Sequence, residues 1–262
     1  MAAVTSERAL KERRLLLLRE KVRRLPIWRP LPGPQSLAYH SEAHITGYGG
    51  AAGGGKTDFI VGEATTKHKR VLVIRREKAQ TEGVVQRLAE VIGGTDGYNS
   101  QKSIWKVPVG SCPIIEFGGL DNLGDESRWQ GRPHDLKAFD EVTEMRESQV
   151  RFIMGWTRSN DPSVHARVVM TFNPPTSAEG RWIIDFFAPW LDKAHPNPAA
   201  PGELRWFTTI DGKDVEVASG APFVLQDDEP VFDFDRSLFA DEDVIYAKSR
   251  SEEHTSELQS QP

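Results

Sequence analysis

The stretch GYGGAAGGGKTD, residues 47–58, limits what this chain can fold into more than any other. Six of its twelve residues are glycine, a composition that weakens helix and strand alike and must therefore serve another end. Before it, AHIT at 43–46 reads as a short strand; after it, residues 56–67 read as a helix. Inside it, GAAGGGKT fits the pattern G-x-x-x-x-G-K-[ST]. Glycines let the backbone curl until several N–H groups point inward at phosphate oxygens. The following helix turns its positive N-terminus on the same anion. Gly50, Ala51, Ala52, Gly53, Gly54 and Gly55 then cradle a nucleotide's phosphates, Lys56 reaches the β/γ-phosphates and the Thr57 hydroxyl ligates Mg²⁺. So short a pattern can also be a flexible connection; a strand before it and a helix after it favour the cradle.

The rest of the chain supplies the sheet that such a loop needs. KRVLVIRRE (69–77) has the apolar centre of a buried parallel strand. Residues 79–92 suit a helix ended by Gly93 and Gly94. CPIIEFGG (112–119), HDLKAFDE (134–141) and ARVVMTFNPP (166–175, broken at Pro174) read as further strands. Residues 144–157 have helical spacing, with Val150, Ile153 and Met154 inward. Strands alternating with helices predict an α/β fold, a doubly wound, mostly parallel sheet flanked by helices; joined to the glycine loop, it resembles the P-loop NTPase (ASCE/RecA-like) kind. Residues 6–25 predict a basic helix, capped by Ser6 and stopped by Pro26, serving either as a docking arm or as a solvated helix with one leucine face. LPIWRPLPGPQ (25–35) reads as an extended entry segment. Residues 192–230 read as irregular, with one or two strands around ELRWFTTI. FDFD (232–235) and DED (241–243) read as solvated acids.

A second motif bears on chemistry. DLKAFDE (135–141) is a strand that delivers two adjacent carboxylates at its C-terminal edge, where open α/β sheets bind ligands. Asp140 would hold Mg²⁺ through its water shell, and Glu141 would polarise the attacking water as general base. Lys137 interrupts the apolar run, and alternation predicts it at the sheet's margin.

Composition narrows the setting. The chain has 262 residues and a net charge of −5, which argues against coating nucleic acid through overall charge and leaves room for a local basic groove. Cys112 is the single cysteine, so no disulfide framework is expected and a reducing cytoplasm is the natural setting. No apolar run approaches the ~20 residues that span a bilayer. No zinc site is proposed from the histidines.

Several of these stretches, taken in order, resemble the N-terminal ATPase domain of a tailed-phage terminase large subunit, the DNA-packaging motor. GGAAGGGKTD (49–58) resembles the family's cradle, VLVIRRE (71–77) its strand ending in paired arginines, and RWQGRPHDLKAFDEVTEM (128–145) the aromatic–Gln–Gly run into its acidic pair. VVMTFNPP (168–175) resembles the coupling motif, usually Thr-Gly-Asn-Pro, with Phe172 in place of the glycine; GRWIIDFF (180–187) resembles the Trp-containing segment after it, and PGPQ (32–35) the adenine-contacting glutamine segment. The resemblance implies that Gln35 contacts adenine and that Thr171 and Asn173 couple the state of the γ-phosphate to subdomain movement. Many relatives carry an arginine inside the cradle, where this chain has Ala51 and Ala52; Arg75, Arg76 and Arg158 are the candidates to stabilise charge on the γ-phosphate instead.

It further implies ATP and Mg²⁺ as cofactors, and double-stranded DNA, a portal protein and a small terminase subunit as partners. The expected assembly is a homo-oligomeric ring on the procapsid, in the cytoplasm of the bacterial host and away from membranes. Expected domains are an N-terminal helix and entry segment (1–30), the ATPase core (31–190), its end and a linker toward a nuclease domain (191–249), and a tail (250–262). The tail segment RSEEHTSELQS (250–260) has no apolar pattern continuing the domain and resembles the conceptual translation of a sequencing-adapter oligonucleotide; on that reading the natural frame stops near Ser249. The rival readings are another P-loop DNA motor, helicase or recombinase, and a module that binds nucleotide without turnover.

Overall fold

The computed structural model describes residues 27–51, 53–111 and 113–254, together with Arg13 and Arg14. The predicted basic helix (apart from those two arginines), Ala52, Cys112 and residues 255–262 lie outside the described residues.

Strand β1 (Ile45–Gly49) leads into the glycine loop and helix α2 (Lys56–Thr66); α1 (Pro34–His40) precedes both. Next come β2 (Arg70–Arg75), α3 (Glu82–Ile92), the short β3 (Tyr98–Asn99) and β4 (Ile104–Lys106), and β5 (Ile114–Gly119). They are followed by β6 (Leu136–Phe139), α4 (Glu147–Met154) and β7 (Arg167–Phe172). Two short helices, α5 (Trp182–Phe186) and α6 (Ala188–Leu191), lead to the hairpin β8 (Arg205–Ile210) and β9 (Lys213–Val217). A small hairpin, β10 (Val224–Gln226) and β11 (Glu229–Val231), precedes β12 (Lys248–His254).

Ten strands form one sheet in the order β3-β4-β5-β2-β6-β7-β1-β12-β8-β9. The six from β5 to β12 run parallel, and antiparallel strands extend the sheet on both sides. Alternation along β2 explains the two layers. Val71 and Val73 face the cluster built on Phe59, Ile60, Val84 and Leu88 of α2 and α3. Leu72 and Ile74 face the cluster of Val150, Ile153, Trp182 and Phe186. With both faces covered, the strands need apolar side chains throughout, and the doubly wound architecture follows.

Four local expectations are corrected. The entry segment is not extended throughout: Pro34 starts α1, because a proline needs no N–H partner in a first turn. Lys137 does not sit at the sheet's margin. It is fully buried, and its Nζ donates to the Ile153 carbonyl at 2.6 Å, capping the C-terminal end of α4, where carbonyls lack helical partners. Burial lowers its pKa to about 7, with Arg158 and Lys248 adding to the fall. The helix expected over 144–157 is shorter, Glu147–Met154, after a 3₁₀ turn at Val142–Glu144. Finally, residues 250–254 lie inside the sheet as most of β12, where the adapter-like tail was expected to stand apart from the domain. The polar sequence carries no strand signal; main-chain pairing with β1 and β8 makes it one.

A buried charged network pins the edge opposite the glycine loop. His68 lies between Glu63 of α2 and Asp135, 3.4 and 3.3 Å away, and Arg167 at the start of β7 reaches Glu63 at 3.4 Å. Burial acts to raise the Glu63 carboxyl, but Arg167, His68 and Lys67 hold it below its ordinary value. The foot of α2 is thereby tied to the strands whose far ends carry the acidic pair and the Thr-Phe-Asn segment.

Candidate active site

The order of the strands assembles the site. β7 lies between β1 and β6, so the loop after β1, the acids after β6 and Asn173 after β7 emerge side by side at one edge. Register sets the finer match: Tyr48 pairs with Thr171, and Met170 with Phe139, which brings Thr171 level with Asp140.

The loop needs its glycines at particular places. Gly50, Gly53 and Gly55 have φ of 143°, 87° and 71°, conformations that side chains penalise. At Gly55 a Cβ would stand 2.8 Å from Gln35 Nε2. The loop is also bound from outside. Gly50 N donates to Phe172 O at 3.2 Å, and Tyr48 Oη donates to Gly54 O at 2.9 Å. Lys56 Nζ donates to the carbonyls of Gly50 (2.9 Å) and Ala51 (2.6 Å), so its ammonium lies within the curl of the loop. Gln35 is buried; its Oε1 accepts from Leu31 N at 2.6 Å and its Nε2 donates to Gly55 O at 3.0 Å. In this geometry Gln35 braces the loop, using the amide groups expected to meet adenine.

Opposite the loop, Asp140 is the hub. Its Oδ1 accepts from Thr171 Oγ1 at 2.6 Å. Its Oδ2 accepts from Arg75 Nε and Nη2, at 2.8 and 2.6 Å, and from Thr57 Oγ1 at 3.5 Å. Arg75 Nη1 also reaches Glu141 Oε2 at 3.1 Å, so one guanidinium spans both acids. Glu141 N donates to Thr171 Oγ1 at 3.2 Å. Glu141 itself is left-handed, with φ 58° and ψ 49°, a conformation that costs a non-glycine residue ~1 kcal/mol or more and that clusters at functional sites. Burial raises its pKa, Arg75 pulls the other way and Asp140 adds to the rise. Asn173 carries a buried side-chain oxygen without a protein partner.

Lys56, Thr57, Asp140, Glu141, Arg75, Thr171 and Asn173 therefore share the edge. Two candidates do not face the acids. Arg76, on the other side of β2 from Arg75, donates to Leu120 O at 2.8 Å. Arg158 N donates to His134 O at 3.0 Å, before the start of β6. Six residues of strand, about 20 Å, separate that point from Asp140. A cavity of about 450 Å³ at the opposite edge, lined by His44, Thr157, His165 and Lys248 among others, contains none of the site residues.

Supports that the motifs do not reveal surround α2. Trp28 Nε1 donates to Asp58 Oδ2 at 2.9 Å and Arg87 Nε to Asp58 Oδ1 at 2.8 Å, and the Trp28 ring lies against Gly62. Asp58 directly follows the Lys-Thr pair, which was its only signal; Trp28 and Arg87 had none, being joined to it only by the fold.

Thr57 and Asp140 present hard oxygens side by side, and this donor set fits Mg²⁺. Among the described residues no cluster of three or more His, Cys, Asp or Glu suited to a metal occurs. No helix among them is long and apolar enough to cross a membrane.

No family model matches the chain, and no curated protein matches it. Similar solved structures include the large terminase of a thermophilic bacteriophage, at 16% identity and TM-score 0.44 over 56% of this chain and 40% of that one. The Thermus phage P74-26 large terminase ATPase domain is 13% identical, with TM-score 0.46 over 67% of this chain and 79% of that one. The large terminase of bacteriophage HK97 is 13% identical, with TM-score 0.43 over 64% and 37%. The chain thus spans about 40% of the first of these and 37% of the last.

Proposed function

We propose that this chain hydrolyses ATP and is the motor domain of a phage terminase large subunit, which drives double-stranded DNA into a procapsid. The observation that carries the ATPase reading is the convergence of Thr57 and Asp140, 3.5 Å apart, between the Lys56 loop and Glu141. Lys56 and the loop N–H groups hold the phosphates. Thr57 and Asp140 would hold Mg²⁺, which when bound would supply positive charge against the phosphates. Glu141, its basicity raised by burial, accepts a proton from water. Arg75, already against both acids, is placed to balance charge as that proton moves. Thr171 holds Asp140 and the Glu141 backbone in one arrangement. Asn173, with a free side-chain oxygen on the adjoining strand, is placed to sense the phosphates. The packaging reading rests on the ordered motifs from PGPQ to GRWIIDFF; with it come the ring, the portal and small-subunit partners and the host cytoplasm.

The test of turnover is Glu141→Gln, which should leave ATP affinity unchanged and abolish hydrolysis. If the unaltered chain binds ATP but shows no turnover even with DNA and capsid partners, a nucleotide-binding module is the better description. Stimulation of turnover by procapsid separates a packaging motor from a helicase or recombinase; its absence with all partners present would count against packaging.

A further inference from the structure

Two side chains hold the glycine loop by its carbonyls, at the two peptides that lead into α2. Tyr48 Oη donates to Gly54 O at 2.9 Å. Gln35 Nε2 donates to Gly55 O at 3.0 Å, and the same carbonyl accepts from Phe59 N at 2.8 Å in the first turn of the helix. In a trans peptide the carbonyl and the N–H of the next residue point in opposite directions, and no cis peptide occurs among the described residues. Holding the Gly54 and Gly55 carbonyls on one side therefore sets the Gly55 and Lys56 N–H groups on the other. Those two N–H groups stand at the N-terminus of α2, where a helix receives an anion.

Both anchors are fixed in turn. Tyr48 is a buried residue of β1, its ring 5.1 Å from that of Phe59 between centroids. Gln35 lies in the first turn of α1, with Oε1 accepting from Leu31 N at 2.6 Å. Reading adenine takes a donor and an acceptor offered together, to N7 and to the N6 amino group. Gln35 has one of each committed inside the protein. At 2% exposure it offers its remaining N–H and lone pair to nothing outside. To meet a base it would have to let go of the Gly55 carbonyl, and with it the direction of the Lys56 N–H. Base reading and loop bracing compete for one amide, and the geometry gives it to the loop.

We infer that Gln35 and Tyr48 are positioning residues that preset the N–H groups of the loop, and that what depends on them is binding of the polyphosphate chain, whatever base it carries. Gln35 takes no part in choosing adenine. This inference rests on the nucleotide reading above and names which part of the nucleotide the braced loop recognises.

The test measures binding of ATP, GTP and inorganic tripolyphosphate, each with Mg²⁺, to the full chain by calorimetry. Gln35→Leu removes the amide at similar bulk, and Tyr48→Phe removes only the hydroxyl on Gly54 O. Each variant should weaken all three ligands by one common factor, roughly tenfold for Gln35→Leu and roughly fivefold for Tyr48→Phe, with the ATP:GTP ratio unchanged. In the unaltered chain tripolyphosphate alone should shift the Gly55 and Lys56 amide resonances, and in each variant the same shifts should be smaller at equal ligand concentration. If Gln35→Leu weakens ATP but spares tripolyphosphate, or changes the ATP:GTP ratio, Gln35 reads the base and the inference is overturned while the nucleotide reading stands. Variants that bind all three ligands as the unaltered chain does would overturn it as well. An unaltered chain that binds none of the three would overturn the nucleotide reading and this inference together.

Discussion

The Thr171 hydroxyl is the clearest single joint in the candidate site, and removing it is the most exacting test. It donates to Asp140 at 2.6 Å and accepts from Glu141 N at 3.2 Å; Thr171 and Asp140 are both buried. Thr171→Val keeps the shape and deletes both bonds. A hydrogen bond to a buried carboxylate contributes about 1.5–3 kcal/mol, and the Glu141 N–H left unpaired costs about 1–3 kcal/mol. We expect a loss near 3 kcal/mol, a fall of roughly 6–12 °C in melting temperature for a chain of this size. Thr171→Ser retains the hydroxyl and should lose only about 1 kcal/mol, from one methyl group. Urea unfolding of the two variants side by side isolates the hydroxyl. Steady-state ATP hydrolysis should fall at least tenfold in the valine variant, with Asp140 and Glu141 no longer held together, and little in the serine variant. If valine and serine prove equal in stability and rate, Thr171 is not the joint described here and the arrangement of the acids has another cause.

Three other outcomes follow from the same contacts. Glu141 must be ionised to take a proton, so hydrolysis should fail as pH drops through its raised pKa; Arg75 opposes that rise, so Arg75→Gln should shift the acid limb of the kcat/KM profile to higher pH, and an unmoved or lowered limb would contradict the pairing. Gly62→Ala would ordinarily strengthen a helix by about 1 kcal/mol, yet its Cβ would run into the Trp28 ring; overpacking of about 1–3 kcal/mol should win, and the urea midpoint should fall, not rise. Lys137 falls on folding from 10.5 to about 7, so between those values the unfolded chain binds more protons and stability climbs with pH; Lys137→Met should flatten that climb in unfolding measured between the same two values.

What the sequence determined by itself is local and periodic. The glycine run, with Lys56 and Thr57 behind it, announces a loop that curls before a helix, because few other uses exist for so many glycines in one place. The apolar centres of 69–77, 134–141 and 166–175 announce buried strands, and a strand ending in Asp140 and Glu141 places both at a ligand-binding edge. What the tertiary structure alone decided depends on which strand lies next to which. Insertion of β7 between β1 and β6 brings Thr171 to Asp140, and alternation along β2 turns Arg75 to the acids and Arg76 away. Helix α4, which follows β6, carries the chain back so that Arg158 lies at the far edge, although it follows Glu141 by only 17 positions. Trp28 and Arg87 meet at Asp58 from 30 and 29 residues away. The strand at 248–254 is the extreme case: nothing in its side chains asks for a sheet, and only the unpaired edges of β1 and β8 make one of it. Periodicity reports which face of an element is buried; it is silent on which neighbour does the burying, and that choice built this site.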